Sequence, residues 1–214
     1  MVKLTKTPLP SDIIIKSDKD YRSDKIFDIL VKDCNSKCYI CEDKPTTINI
    51  EHIIPHRNDP ALKLCWDNLF IACGHCNNTK SDKYENIIDP VKHDPEEHIA
   101  LSIIISGNLI DSVGIEALKK DESTSQTANL LRLVYNDGST AIKKVECSNL
   151  RNQHLMPNIR LFYQYIENYR KEPNIVYECI IREEIDRSSK FAAFKRKIIK
   201  DDPKLREIFA DALV

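Results

Sequence analysis

The chain has 214 residues, of which 42% are hydrophobic and 30% charged, and its formal net charge is -1 at pH 7. This balance is typical of a globular protein with one good core or two small ones, and the longest apolar runs are too short to span a bilayer, so we predict no membrane partner. A net charge near zero neither indicates nor excludes nucleic acid, because local clusters of cations decide phosphate binding.

The first ten residues, MVKLTKTPLP, lack the continuous apolar segment of a secretory signal. We therefore expect a cytoplasmic protein, in which thiols stay reduced. The eight cysteines are then interpreted as metal ligands or buried side chains and not as a disulfide framework.

Three segments follow one another along the chain. Residues 1–33 are predicted to be a polar arm and a helix, because DKIFDILVKDC repeats apolar residues on one helical face. Residues 34–92 are rich in Cys, His, Asn and Asp and contain short strand-like pieces, which predicts a small metal-dependent module. Residues 93–214 begin with a hairpin and continue as a mainly helical region. The predicted fold class is therefore α+β.

Two C-x2-C knuckles, Cys38-Tyr-Ile-Cys41 and Cys73-Gly-His-Cys76, are separated by about thirty residues. Each knuckle offers two thiolates at the spacing that tetrahedral zinc requires, so the four cysteines predict a closed structural Zn²⁺ site. Cys34 is an alternative to Cys38, and His75 is a substitute ligand. Three further cysteines are predicted to be small core residues: Cys65, Cys147 and Cys179.

The stretch INIEHIIPHRNDP lies between the knuckles and places Glu51 beside His52 near the end of an alternating strand. The alternation points the two side chains to opposite faces unless the chain bends there. Downstream, DNLFIACGHCNNTKSDKY predicts a helix that starts near Cys76. Its free backbone N–H groups and its lysines would suit a phosphate.

The C-terminal region has recognisable start and stop signals. LSIIISGNLIDS predicts a β-hairpin around a Ser-Gly-Asn turn. Thr124 or Ser125 is the expected cap of the helix that follows, and Pro157 is expected to kink or interrupt a longer helix. Asp202 before Pro203 predicts the cap of a last helix.

The run RSSKFAAFKRKIIK, residues 187–200, holds six cations and no acid. Its apolar residues recur at helical spacing, which predicts a helix with a cationic face. Two interpretations stay open, namely a solvated surface helix and a phosphate-facing element. Under the second, the candidate nucleic-acid contacts are Lys190, Arg196 and Lys197.

The elements EHIIP, DNL, C-x2-C and CNNTK, in this order over roughly residues 38–84, resemble the zinc-stapled subgroup of the ββα-metal HNH nucleases. The resemblance implies that His52 is the general base and that Asn68 is the central Asn, which holds the hairpin loop. It also implies that Glu51 and Asn77 are ligands of a catalytic Mg²⁺ or Mn²⁺. Asn77 occupies a position where His is commoner, and the same Asn variant occurs in the HNH domain of RNA-guided CRISPR nucleases. Glu51 occupies a position where Asp is commoner.

The residue types suit phosphodiester hydrolysis without reference to a family. A neutral imidazole accepts a proton from water near neutral pH, and a divalent cation bound by oxygen ligands stabilises charge on the phosphate. Asn77 has a second interpretation as a helix N-cap, with Asn78 as an alternative ligand. Arg57, Lys80 and Lys83 are either phosphate contacts or solvated charges.

A second resemblance covers the basic start, the first knuckle, IEHIIP and the long helical tail. These features resemble the HNH subunit of Septu-type anti-phage systems, which implies an ABC-type ATPase partner. Three hypotheses remain open: an endonuclease for which DNA is favoured over RNA, a nuclease subunit latent without its ATPase, and a zinc-dependent binding module without catalysis.

Overall fold

The computed structural model describes residues 1–214 and places short elements before a set of longer helices. The elements of the N-terminal part are α1 (Asp18–Tyr21), α2 (Asp24–Asp33), β1 (Ile48–His52), α3 (Pro60–Lys63), a 3-10 turn (Trp66–Asn68), β2 (Leu69–Cys73) and α4 (Gly74–Lys80). No helix combines the length and apolarity needed to cross a membrane.

Strands β1 and β2 pair antiparallel, and α4 follows β2 directly, so the module has the ββα order. The register sets Glu51 opposite Phe70 and His52 opposite Leu69. Helix α4 begins at Gly74, two residues before Cys76 and close to the predicted start, with Cys73 as its N-cap, whose Sγ accepts a hydrogen bond from the Cys76 N–H at 3.4 Å.

The predicted hairpin is present as β3 (Ile99–Ser106) and β4 (Leu109–Ala117). Gly107 lies in its turn with a φ of 61°, a left-handed conformation that costs glycine little. The remaining elements are α5 (Glu122–Asn136), α6 (Ala141–Asn149), a π-helical turn (Leu150–Leu155), α7 (Met156–Lys171), α8 (Ile175–Ile185), α9 (Ala192–Asp201), α10 (Pro203–Ile208) and a 3-10 turn (Ala210–Leu213).

The N-cap of α5 differs from the predicted one, whereas the N-cap of α10 is the predicted residue. The cap of α5 is Asp121 and not Thr124 or Ser125, because the Asp121 carboxylate accepts hydrogen bonds from both the N–H and the hydroxyl of Thr124, each at 2.8 Å. Thr124 therefore lies buried in the first turn. The cap of α10 is Asp202 as predicted, since its carboxylate accepts from the Lys204 and Leu205 N–H groups.

Pro157 interrupts the long helix as predicted. A proline has no N–H to donate and its ring clashes with the carbonyl four residues earlier. The chain accommodates this by widening into the π-helical turn Leu150–Leu155, immediately before α7.

The core confirms a mixed α+β protein whose C-terminal region is mainly helical. One cluster of 38 buried residues draws side chains from all three predicted segments, and a cluster of seven, among them Phe162 and Phe209, joins α7 to the last helices. The three segments therefore pack against one another over a shared core. Their limits at residues 33/34 and 92/93 stay a prediction.

The cationic run of residues 187–200 is neutralised by carboxylates from elsewhere in the fold. All six cations lie within ion-pair distance of an acid, the pairs being Arg187–Asp94, Lys190–Asp43, Lys195–Glu184, Arg196–Glu96, Lys197–Asp201 and Lys200–Glu96. Four of these pairs reach across more than ninety residues of sequence. The run therefore fastens the C-terminal helices to the first half of the chain.

Candidate active site and zinc centre

The four knuckle cysteines converge on one point. Their Sγ atoms all lie within 4.8 Å of one another, and the Cys41 and Cys73 sulfurs are 4.0 Å apart. A Zn–S bond of about 2.3 Å implies about 3.8 Å between sulfurs in a tetrahedron, so the donor set fits zinc. Four sulfur ligands would leave no position for substrate, as in structural zinc sites. The site joins the turn before β1 to the junction of β2 and α4.

Neither alternative ligand takes part in this cluster. Cys34 is buried outside it, and the His75 Nε2 lies 2.8 Å from the carbonyl oxygen of Val134. Of the three remaining cysteines, Cys147 is buried as predicted. Cys65 is only partly buried, and Cys179 is exposed on α8, because α8 turns this position away from the core.

The zinc centre is anchored to the helical region. The hydroxyl of Tyr135 on α5 donates a 2.9 Å hydrogen bond to the carbonyl of Cys41. The neighbouring Glu42 is buried, and its carboxylate accepts from the Ala193 N–H at the start of α9 at 3.1 Å. Folding of the knuckle and docking of the C-terminal helices are thus coupled.

His52 ends β1 and is 8% exposed as a residue. Its Nε2 lies 2.9 Å from the carbonyl oxygen of Lys63, and a carbonyl only accepts, so Nε2 carries the proton and Nδ1 has the free lone pair. Burial lowers the pKa of His52, and the Lys63 carbonyl opposes this only in part. The ring is therefore neutral at neutral pH.

Asn68 fixes the loop that supplies this carbonyl. Its side chain is buried and makes three hydrogen bonds, accepting from the Ile54 N–H at 2.8 Å and donating to the Ile54 and Leu62 carbonyls at 2.9 Å. These bonds hold both ends of the segment from residue 54 to residue 62. Lys63 is the next residue, so Asn68 indirectly positions the His52 ring.

Glu51 is buried on β1 and pairs with Lys80 of α4. The Lys80 ammonium is fully buried and donates 2.8 Å hydrogen bonds to Glu51 Oε1 and to the His52 carbonyl. Burial raises the pKa of Glu51, and the Lys80 charge opposes that rise. Lys80 does not face solvent, so its predicted contact with nucleic acid does not fit its position.

A surface cleft of about 470 Å³ lies in front of the His52 ring. Asn77, partly exposed on α4, lines the same cleft, as does His56. The His56 ring meets the His52 ring edge-on, with 4.6 Å between centroids. The β1–β2–α4 unit thus brings His52 and Asn77 to one opening, although they are 25 positions apart in sequence.

Comparison with known families supplies the classification. Residues 32–83 match the family of HNH endonucleases. Residues 32–83 are an HNH endonuclease domain. Among curated proteins, the Septu protein PtuB of Bacillus mycoides (strain KBAB4) is 23% identical over 219 aligned residues, covering 75% of this chain and 73% of that protein. No solved structure matches the chain significantly.

The other cations that were predicted to contact nucleic acid differ in exposure and in their partners. Lys83 is exposed just after α4, and the exposed Arg57 pairs with Glu85 at 3.1 Å. Lys190 pairs with Asp43, and Lys197 with Asp201.

Arg196 requires a correction. Its side chain is 1% exposed, and its guanidinium donates to Glu96 and to the carbonyls of Ile185, Ala212 and Leu213. All of its donor groups are directed into the protein, so this arginine is part of the core and does not face a nucleic acid.

Two residues at the cleft of the HNH domain were not predicted from sequence. Tyr21 and Arg22 end α1 and line the cleft beside His52. Nothing in their local sequence indicates a site, because they lie about thirty residues before His52. Only the docking of α1 places them there.

Proposed function

We propose that this protein is a metal-dependent endonuclease that hydrolyses phosphodiester bonds, with DNA as the favoured substrate. The observation that carries the proposal is the orientation of His52. Its Nε2 is held by the Lys63 carbonyl, and the ring lines an open cleft together with Asn77. This arrangement suits a general base that takes a proton from water.

In this proposal the neutral His52 ring accepts the proton of the attacking water at Nδ1. The lowered pKa keeps the ring unprotonated near neutral pH, so the base is ready before substrate arrives. Asn68 acts as a positioning residue, because it holds the loop whose last carbonyl orients the ring. The imidazolium that forms during proton transfer is stabilised by the same carbonyl.

We assign the catalytic metal to Glu51 and Asn77, whose carboxylate and amide oxygens are ligands that suit Mg²⁺ or Mn²⁺. Lys80 contacts only Oε1 of Glu51, which leaves Oε2 for a cation. Such a cation supplies Lewis-acid stabilisation of charge on the phosphate and the leaving oxygen. The zinc site has a separate task, since it holds the two strands and α4 in place.

The similarity to the Septu protein PtuB supports a proposal for the biological setting. We propose that the nuclease acts in the cytoplasm as the effector of an anti-phage defence system. An ABC-type ATPase is the expected regulatory partner, and an enzyme that is latent without it, or that cuts RNA, is the second candidate. A zinc module that only binds nucleic acid is disfavoured, because it has no need for an oriented, neutral His52.

The test compares wild type with His52→Ala on plasmid DNA and on total RNA, each with Mg²⁺, Mn²⁺ or EDTA. His93→Ala is the matched control, because His93 is exposed and outside the cleft. We expect wild type and the control to cut in the presence of metal and His52→Ala to be inactive. All three proteins should retain about one zinc per chain by metal analysis.

The other outcomes separate the alternatives. Cleavage of RNA but not of DNA would favour the second candidate, in which RNA is the substrate. If no zinc-loaded protein cuts either nucleic acid, the same assay is repeated on the complex isolated from the native host. Cleavage by the complex supports the latent enzyme, and an inactive complex or equal cleavage by His52→Ala contradicts the proposal.

A further inference from the structure

Three residues that line one side of the cleft have no role in the mechanism proposed above. Tyr21 and Arg22 form this wall at the end of α1, and His56 completes it from the loop after β1. The buried Tyr21 ring meets the His52 ring edge-on, with 5.4 Å between centroids. This wall is therefore in direct contact with the proposed base.

Helix α1 is fastened to the loop that orients His52. Asp18 on α1 forms a 2.8 Å ion pair with Lys63, the residue whose carbonyl holds the His52 ring. The Lys63 side chain also lowers the pKa of Asp18, by a hydrogen bond first of all. Lys63 thus contacts both α1, through its side chain, and the ring of the proposed base His52, through its carbonyl.

Arg22 is an exposed cation that forms no ion pair, although its charge contributes to the lowered pKa of Asp18 one turn earlier. Its Nε donates to the Tyr21 hydroxyl at 3.1 Å, and the guanidinium carbon lies 5.3 Å from the centre of that ring. None of the ion pairs in the structure involves Arg22, whereas Arg57 on the other side of the loop pairs with Glu85. The terminal nitrogens of Arg22 are therefore available to an anion in the cleft.

His56 presents a donor to the same space. Its Nδ1 accepts a 3.0 Å hydrogen bond from the N–H of Asn58, so the neutral ring carries its proton on Nε2. Arg57 and Asn58 both have positive φ angles, 45° and 68°, and this turn folds the N–H back onto the ring. The local backbone thus selects the tautomer of His56.

We propose that Arg22 and His56 bind the non-bridging oxygens of the backbone phosphate that enters the cleft. This inference rests on the proposed nuclease function and names the part of the site that holds its substrate. A guanidinium binds phosphate through two parallel N–H donors, and the His56 Nε2–H adds a third. Tyr21 is the positioning residue that holds Arg22 against the wall.

The experiment measures binding in the inactive His52→Ala protein, with a short fluorescently labelled oligonucleotide and Mg²⁺, by anisotropy over a series of salt concentrations. We expect Arg22→Ala to weaken binding about tenfold. It should also flatten the slope of log K against log[salt] by about 0.7 to 0.9, the value for one lost phosphate contact. Arg22→Lys should restore the slope but only part of the affinity, because lysine keeps the positive charge but lacks the two parallel N–H donors of the guanidinium.

His56→Ala should weaken binding severalfold, because it removes one donor to the phosphate. Lys25→Ala is the matched control. Lys25 is 77% exposed on α2, outside the cleft, and its removal should change binding less than twofold. Circular dichroism and zinc content establish that each variant is folded.

The result that overturns this inference is an Arg22→Ala protein that binds with the same affinity and salt slope as Lys25→Ala. That outcome leaves the proposed nuclease function intact. If the His52→Ala parent itself binds no nucleic acid although folded and loaded with zinc, the inference fails, and the proposed function is then decided by the cleavage assays on the isolated protein and on the native complex.

Discussion

The Nε2 atom of His52 lies 2.9 Å from the carbonyl oxygen of Lys63, and this contact determines which nitrogen of the ring is basic. An N–H held by a carbonyl stays on Nε2, so the lone pair stays on Nδ1. The same contact makes the orientation of the proposed base dependent on the loop between β1 and β2. The architecture of this loop therefore affects chemistry as well as stability.

The first prediction concerns pH. Burial disfavours the charged imidazole and lowers the pKa of His52, so the ring becomes neutral below the ordinary histidine pKa of about 6.5. We expect kcat/KM to rise tenfold per pH unit at acid pH and to level off with a midpoint below about pH 6.5. A pH–rate profile at saturating metal measures this, and a midpoint clearly above 6.5 would contradict the assignment of His52 as base.

The second prediction concerns Asn68. Asn68→Ala removes three part-buried hydrogen bonds to the backbone of Ile54 and Leu62, which costs about 1–3 kcal/mol of unfolding free energy. Because the loop then no longer fixes the Lys63 carbonyl, we expect about a 10²-fold loss of cleavage. Denaturant unfolding and single-turnover assays measure the two effects. A destabilised variant with unchanged single-turnover rate would show that Asn68 is structural only.

The third prediction separates the two tasks of Glu51. Lys80→Met removes the buried partner of this carboxylate, and breaking such a pair costs about 3–5 kcal/mol. If Glu51 also binds the catalytic cation, Mg²⁺ replaces the missing positive charge and should raise the melting temperature of Lys80→Met more than that of wild type.

The control for this third prediction is the double variant Lys80→Met, Glu51→Gln, which has no carboxylate to bind the cation. It should not respond to Mg²⁺. An equal response in the single and double variants would place the cation away from Glu51.

The fourth prediction concerns the zinc centre. Cys73 is both a proposed ligand and the N-cap of α4, so Cys73→Ser should lose zinc and unfold the HNH domain. Tyr135 and Glu42 couple the knuckle to the helices, so we expect the helical region to lose stability in the same transition. Metal analysis and thermal unfolding by circular dichroism measure this. Cys65→Ser, outside the cluster, should keep both zinc and fold.

The sequence predicted what depends on local spacing and missed what depends on tertiary contacts. The knuckles, the hairpin, the Asp202 cap and the interruption at Pro157 are local signals, and the structure confirms them. The buried positions of Lys80 and Arg196 are not local signals, because their partners come from distant segments. A cation without an acid nearby in sequence looks the same whether it faces solvent or a carboxylate in the folded chain.

The candidate site shows the same division. The neighbouring residues Glu51 and His52 were found from their motif, while Arg22 was not, because only the packing of α1 brings it to the cleft. His56 was visible in the sequence, but its tautomer depends on the backbone turn at Arg57 and Asn58.

The last prediction tests whether the buried Arg196 stabilises the fold and whether the exposed Lys83 binds nucleic acid. Arg196→Met leaves Glu96 and three backbone carbonyls without the guanidinium, and removing a buried partner of this kind costs about 3–5 kcal/mol. Lys83→Ala removes an exposed charge and should change the unfolding free energy by no more than about 0.5 kcal/mol.

For binding, the order of the two variants should reverse. Lys83→Ala should weaken the affinity of the His52→Ala protein for an oligonucleotide. It should also reduce the slope of log K against log[salt] by about the amount expected for one phosphate contact. Folded Arg196→Met should bind with the original slope. Chemical denaturation and anisotropy titrations on the same preparations measure both quantities. A change in salt slope in Arg196→Met without loss of stability would mean that this arginine reaches the nucleic acid after all.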